Sequence, residues 1–219
     1  MFEKAKDVLV IGLGIFGYQV AVKLAKEGLN VLAVDKNTKI INQIKDEVTD
    51  AIVADAANED ALKELSVDKF DRVILGLSGN FESLILCITY LKKLGAKYII
   101  AKANTEIQKD ILLKIGADEV ILPEKEIAMK LAEKIARPNI LDFFELGDET
   151  AIATVKVPDR FYEKSLQEID LRKKYNITAI ILIRDGETKL IRDASVKLKS
   201  GDELVIAGDE DKIKEVFSK

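Results

Sequence analysis

Asp7-Val-Leu-Val-Ile-Gly12-Leu-Gly14-Ile-Phe-Gly17 is the stretch that decides the fold. Residues 8–11 form the short β-branched and aliphatic run that a strand buried on both faces requires. Gly12, Gly14 and Gly17 follow at once as G-x-G-x-x-G, and residues 18–27 then place Val20, Ala21, Leu24 and Ala25 at helical spacing. Three glycines so spaced serve a tight turn, close approach of backbone to a phosphate, and close packing of helix on strand. The start of the helix adds free N–H groups and a partial positive charge that favour an anion. A G-x-G-x-x-G alone is weak, and its competing reading is a turn that merely packs. Here the next strand, Asn30-Val-Leu-Ala-Val-Asp35, ends in an acid placed for ribose hydroxyls, which is the context a dinucleotide site needs.

The alternation continues outward from this unit. Residues 39–48 read as a helix and 51–55 as a strand, and Asn58 caps a short helix through Leu65. Residues 71–77 form strand four, residues 80–94 a longer helix and residues 97–101 strand five. Thr105 then caps a helix to Ile115, and residues 119–122 make strand six. Six strands joined by helices predict an α/β fold, a Rossmann-like doubly wound parallel sheet of order 3-2-1-4-5-6. Ligands in such sheets bind beyond the carboxyl ends of the strands, beside strand one. Asp55, Leu77, Ser78, Asn80, Lys102 and Asn104 fall at or just after strand ends. Any one of them alone reads as a cap or turn residue; their shared edge points to a crevice.

Pro123 opens a helix over 124–137 that Pro138 ends. Residues 138–146 are expected to be a linker helix that buries Ile140, Leu141, Phe143 and Phe144 against another subunit or domain. From Gly147 the pattern changes to a strand at 151–157 and a short helix at 165–174. A hairpin follows about Asp185-Gly186, then a strand at 203–207 and a last helix capped by Asp209. The expected organisation is a nucleotide-binding domain over 1–137, the linker helix, and a small α+β domain over 147–219 that is easily stabilised as a dimer.

Composition narrows the chemistry. With 34 basic and 38 acidic residues interspersed and no basic block, nucleic acid is not an expected partner. Residues 1–7 are too charged and too short for a signal peptide, and no apolar run reaches the ~18 residues of a membrane span. The lone Cys87 lies in an apolar helical run and reads as core. There is no histidine, which removes the commonest general base and the commonest metal ligand. Tyr98 and Lys102 match the Tyr-x-x-x-Lys spacing of short-chain dehydrogenases, but on a strand that spacing separates them by roughly 13 Å. The nucleotide site reads as a sensor, not a reaction centre, and the chain is not expected to be an enzyme.

Two sets of segments carry a family resemblance. The first is Val10-Ile-Gly-Leu-Gly-Ile-Phe-Gly17, Ala33-Val-Asp35, Ala54-Asp-Ala56 and Ile115-Gly-Ala-Asp-Glu-Val-Ile-Leu-Pro-Glu-Lys125. The second is Ser165-Leu-Gln-Glu-Ile-Asp-Leu-Arg-Lys-Lys-Tyr175 and Ser200-Gly-Asp-Glu-Leu-Val-Ile-Ala-Gly208. Together they resemble the regulator-of-K⁺-conductance (RCK) family, which pairs a TrkA-N with a TrkA-C domain and includes cytosolic gating subunits of Ktr- and Trk-type potassium transporters. The resemblance implies homodimers assembled into an octameric ring, docked by a membrane potassium-channel subunit at the inner face of the cell membrane without entering it. It also implies ATP, ADP, AMP or NAD(H) in the first-domain crevice. Gly12, Gly14 and Gly17 would hold the phosphates, with Ile15 and Phe16 between them, Asp35 a ribose, Asp55 and Ala56 the adenosine end, and Lys102 would neutralise phosphate charge. Lys36 would add a further charge beside Asp35 and reads also as a solvated lysine.

Ile15 stands where ATP-gated relatives often carry an arginine, which weakens ATP and leaves ADP, AMP or NAD(H) more open. Glu124 matches a family acid that sits near the nucleotide's phosphates at subunit contacts and can take part in binding Mg²⁺ or Ca²⁺; it reads equally as a first-turn acid favoured by the helix dipole. Arg172, Asn176 and Ile177 match a segment where some relatives bind cyclic di-AMP, and Arg172 reads also as a surface helix residue. The competing functions are an NAD-dependent oxidoreductase and a free-standing nucleotide or redox sensor.

Overall fold

The computed structural model describes residues 5–77, 81–147 and 149–218, so Ser78 and Asn80 lie outside the described residues. The chain divides into two compact units between Glu126 and Ile127. In the first, β1 (Asp7–Ile11), β2 (Asn30–Asp35), β3 (Asp50–Val53), β4 (Arg72–Leu75), β5 (Ile99–Lys102) and β6 (Glu119–Ile121) form one parallel sheet ordered β3-β2-β1-β4-β5-β6. Between them run α1 (Ile15–Lys26), α2 (Thr38–Ile44), α3 (Glu59–Glu64), α4 (Phe81–Lys93) and α5 (Glu106–Lys114). The strands are apolar on both faces because helices cover both. Leu9, Ile11, Val73, Leu75, Ile99 and Ala101 face Leu62 of α3, Cys87, Ile88 and Leu91 of α4, and Leu112 of α5. Val8, Val10 and Ile74 face Ala21 and Val22 of α1 and Ile41 and Ile44 of α2. Cys87 is buried, and burial pushes its thiol up to about 12, so it behaves as a core residue.

Side-chain caps set the helix starts, at Asn58 on α3 and Thr105 on α5 as the sequence predicts and also at Asn37 on α2; each accepts a backbone N–H of the first turn. At the amino edge, Asp71 ties β1 to β4. Its Oδ2 accepts the N–H of Lys6 at 2.9 Å and of Asp7 at 3.2 Å, and Lys97 lies 3.3 Å from Oδ1.

A further helix, α6 (Pro123–Ala136), crosses the division between the units and buries no residue; Ile127, Leu131 and Ile135 are 65%, 57% and 72% exposed. The second unit is a five-stranded antiparallel sheet. Its strands are β7 (Ile140–Glu145), β8 (Thr150–Lys156), β9 (Ile177–Arg184), β10 (Glu187–Leu190) and β11 (Glu203–Asp209), ordered β10-β9-β11-β8-β7. The short helices α7 (Leu166–Ile169) and α8 (Leu171–Tyr175) and the terminal α9 (Glu210–Phe217) complete it. Ile213, Val216 and Phe217 of α9 are buried with Val155, Leu204 and Ile206.

Two expectations need correction. The linker helix expected over 138–146 is the edge strand β7, paired antiparallel to β8 from Ile140↔Val155 to Glu145↔Ala151. Pro138 discourages helix before it, and a short turn through Gly147 lets the aromatic run fold back on β8 as a hairpin. The single helix expected over 165–174 is two helices, broken where Asp170 takes φ 52°. The first is nucleated by a reciprocal cap: Ser165 Oγ accepts the Glu168 N–H, and Glu168 accepts the Ser165 N–H at 2.6 Å.

Candidate functional site

At the carboxyl edge of the parallel sheet, residues from β1, β2, the segment after β3 and the segment after β4 line a cleft of about 140 Å³. Gly12, Gly14, Asp35, Lys36, Asp55, Ala56 and Leu77 all border it. Four strand ends thus converge at the switch point of the strand order, where this sheet class binds ligands.

The glycines make the cleft possible. Gly12 has φ 86°, donates its N–H to Val34 O at 2.8 Å, and leaves no room for a Cβ, which would stand 2.7 Å from Leu77 N. A Cβ on Gly17 would lie 1.9 Å from the Gly12 carbonyl oxygen, so α1 can start against the β1 turn only if this residue has no side chain. Gly14 is the extended residue from which α1 begins. Sequence reading had missed Gly76. A Cβ there would lie 2.6 Å from Gly12 O and 3.0 Å from Gly17 Cα. The signal was present, since a glycine inside a strand pattern marks a close approach of backbones.

Asp35 is positioned and partly used by the loop itself. Its Oδ2 accepts the Leu13 N–H at 2.7 Å and its Oδ1 the Asn37 N–H at 2.8 Å. Each carboxylate oxygen keeps a lone pair for a second donor, so a diol can bind without displacing either N–H. Asp55 forms an Asx turn by accepting the Ala57 N–H at 3.0 Å. Lys36 borders the cleft and forms no ion pair among the described residues. Ala54, Ala57 and Ser83 also line it, and they carried no sequence signal beyond position.

Other expected residues lie apart from the cleft lining. Ile15, the first residue of α1, is 91% exposed and presents an apolar side chain where the helix offers its positive end. Phe16 packs against the Val8–Val10 side of the core. Asn104 donates its backbone N–H to Gln108 Oε1 at 3.0 Å, in the loop before α5. Lys102 is paired with Glu124, the second residue of α6, and the bond from the Lys102 ammonium holds the Glu124 carboxyl below its ordinary range. No group of three or more His, Cys, Asp or Glu gathers into a metal site among the described residues, and Glu124 is committed to a lysine.

In the second unit, Arg172 borders a depression with Ile177, and Asn176 ends α8 at φ 56° outside it. Ile177 is fully buried in the core, so it presents no free surface to a base. The group that sequence reading missed here is Asp202, 2% exposed, which binds Arg184 through two bonds of 2.7 Å and accepts the Lys199 N–H at 2.7 Å. Burial works to raise its pKa, but Arg184 and the Lys199 N–H outweigh that and hold the acid ionised.

Residues 8–123 match the model of the TrkA-N domain and residues 151–219 that of the TrkA-C domain. The chain is 32% identical over 203 residues to Ktr system potassium uptake protein C of Bacillus subtilis (strain 168), covering 93% of this chain and 92% of that protein. Among solved structures, the GsuK channel aligns over 99% of this chain with a TM-score of 0.71 at 17% identity. The GsuK channel bound to NAD aligns over 99% with a TM-score of 0.64 at 16% identity. The chain spans 40% of each channel chain, and at these identities the likeness speaks for the fold. With both domain models matched in order and a homologue matched along nearly its whole length, the chain belongs to the RCK family in its TrkA-N plus TrkA-C form.

Proposed function

We propose that this chain is a regulatory, nucleotide-sensing subunit of a potassium uptake transporter, acting in the cytosol on a membrane potassium-channel subunit. The observation that carries the reading is the cleft bordered by Gly12, Gly14, Asp35 and Asp55 in a chain whose homologues are Ktr potassium uptake proteins. The ligand is an adenine nucleotide: ATP, ADP, AMP or NAD(H). The two acids at strand ends suit ribose hydroxyls, and the turn of Gly12 and Gly14 before α1 suits phosphate. Among the described residues of the lining Lys36 is the one cation against two acids, and Ile15 adds none, which favours ligands of lower charge than ATP. Among the described residues no helix is long and apolar enough to cross a membrane, so contact with the membrane runs through the partner. Regulation requires that the ligand bind one conformation of the assembly better than another.

The assembly we propose is a homodimer built into an octameric ring. The exposed stripe Ile127, Leu131 and Ile135 and the exposed Phe144 and Leu146 supply apolar surface for a second copy. Light scattering at micromolar concentration is expected to give a multimer; a mass near 24.3 kDa would overturn the assembly.

Isothermal titration with ATP, ADP, AMP and NAD(H) tests the site. Asp35→Ala is expected to remove measurable binding and, by leaving the buried Leu13 N–H unpaired, to lower stability by about 1–3 kcal/mol. Unchanged nucleotide affinity in that variant would end the site assignment.

A further inference from the structure

Lys102 sits one strand away from the cleft and on the side of the sheet that matters. Leu75 of β4 is in register with Ala101 of β5, and both join the core beneath α4. The preceding residues, Ile74 and Ile100, pack on the opposite face, beneath α1. Side chains alternate along strands, so Lys102 leaves the sheet on the α1 side, beside Gly76. Gly76 is in turn the residue whose missing side chain lets Gly12 and Gly17 close up at the start of α1. Adjacent strands are only about 4.8 Å apart, and a lysine stem spans more than that. The Lys102 ammonium can therefore reach the turn where a nucleotide phosphate would lie.

In this structure that charge is already engaged. The Lys102 side chain is 10% exposed and its Nζ meets Glu124 Oε1, whereas the Glu124 side chain is 66% exposed. The lysine is the confined partner and the glutamate the exposed one, in the first turn of α6. Lys125 beside it reaches away, to Glu106 of α5. No other acid pairs with Lys102 among the described residues.

We infer that Glu124 acts as a built-in competitor of the nucleotide phosphates, occupying Lys102 when the cleft is empty and yielding it when a phosphate arrives. The inference rests on the nucleotide reading of the cleft and deepens it: Glu124 is a positioning residue that sets how strongly the site discriminates phosphorylated ligands from the nucleoside. Removing its charge therefore tightens phosphate binding, the opposite of what loss of a ligand-holding or metal-holding acid would do.

The test is titration of ADP and of adenosine into the full chain in EDTA, which removes divalent cations from the comparison. An exposed ion pair is worth up to about 1 kcal/mol, so Glu124→Gln is expected to tighten ADP by about fivefold and to leave adenosine unchanged. Glu124→Asp, which keeps the charge, is expected to restore the wild-type value or fall between. Lys102→Met is expected to lose ADP affinity and to make a further Glu124→Gln change silent. If the wild type binds ADP and Glu124→Gln binds it equally or more weakly, the competitor role is wrong while the cleft stands. If the wild type binds neither ligand, the nucleotide reading fails and the competitor role falls with it.

Discussion

The two sheets of this chain solve different problems with the same kinds of residue. The parallel sheet is apolar on both faces, and its special positions are glycines, gathered at one edge where backbone segments touch: Gly12, Gly17 and Gly76 lie within a side chain's width of each other. The antiparallel sheet carries its special position inside, as the buried Asp202 held by Arg184 across the turn before β11. An edge built from missing side chains leaves N–H groups and space for a ligand. A buried ion pair leaves nothing free and fixes one arrangement of strands. The first unit is thus built to receive something at its rim, and the second to hold its shape.

The contrast can be broken first at Gly17. A methyl there would stand 1.9 Å from the Gly12 carbonyl, a clash with backbone that no rotamer relieves. Gly17→Ala is expected to destabilise the first unit by about 4 kcal/mol and to abolish nucleotide binding. Urea melts followed by hydrogen exchange in β1 and β4 would measure it, and a loss under about 1 kcal/mol would show that the turn can shift.

The corresponding break in the second unit is Arg184→Met, which keeps the stem and leaves Asp202 buried without its partner. The expected cost is about 3 kcal/mol, confined to exchange in β8, β9 and β11. Protection lost equally in β1 would show that the units do not respond separately.

The smallest effect is a pH dependence at the amino edge of the first sheet, far from the cleft. The N–H groups of Lys6 and Asp7, with Lys97, lower the Asp71 pKa from 3.8 to about 2. A folded-state value below the unfolded one means the contribution is complete above about pH 4 and is lost as pH falls toward 2. Asp71→Asn is therefore expected to be less stable than wild type at neutral pH, with the gap closing between pH 4 and 2. A gap independent of pH would remove Asp71 from that role.

Much of the first unit was legible because several local signals agreed. The strand run before Gly12, the three glycines, Asp35 at the end of the second strand and the caps at Asn58 and Thr105 all stand where the sequence placed them. β7 was misread because aromatic and aliphatic residues over so short a run fit helix and strand alike. Hydrogen bonding to β8 decided between them. The division at Glu126 was also hidden, since α6 is one unbroken periodic helix and periodicity carries no record of which side of it finds partners.

By itself, then, the sequence determined the order of elements in the parallel sheet, the edge at which its glycines and acids gather, and the family, because each follows from residue type at short spacing. Tertiary structure alone decided which distant residues meet. Gly76 against Gly17, Lys102 against Glu124 and Arg184 against Asp202 depend on strand register and on neighbours brought together from far along the chain. No local preference of the backbone encodes a meeting of that kind; it exists only once the sheets have formed.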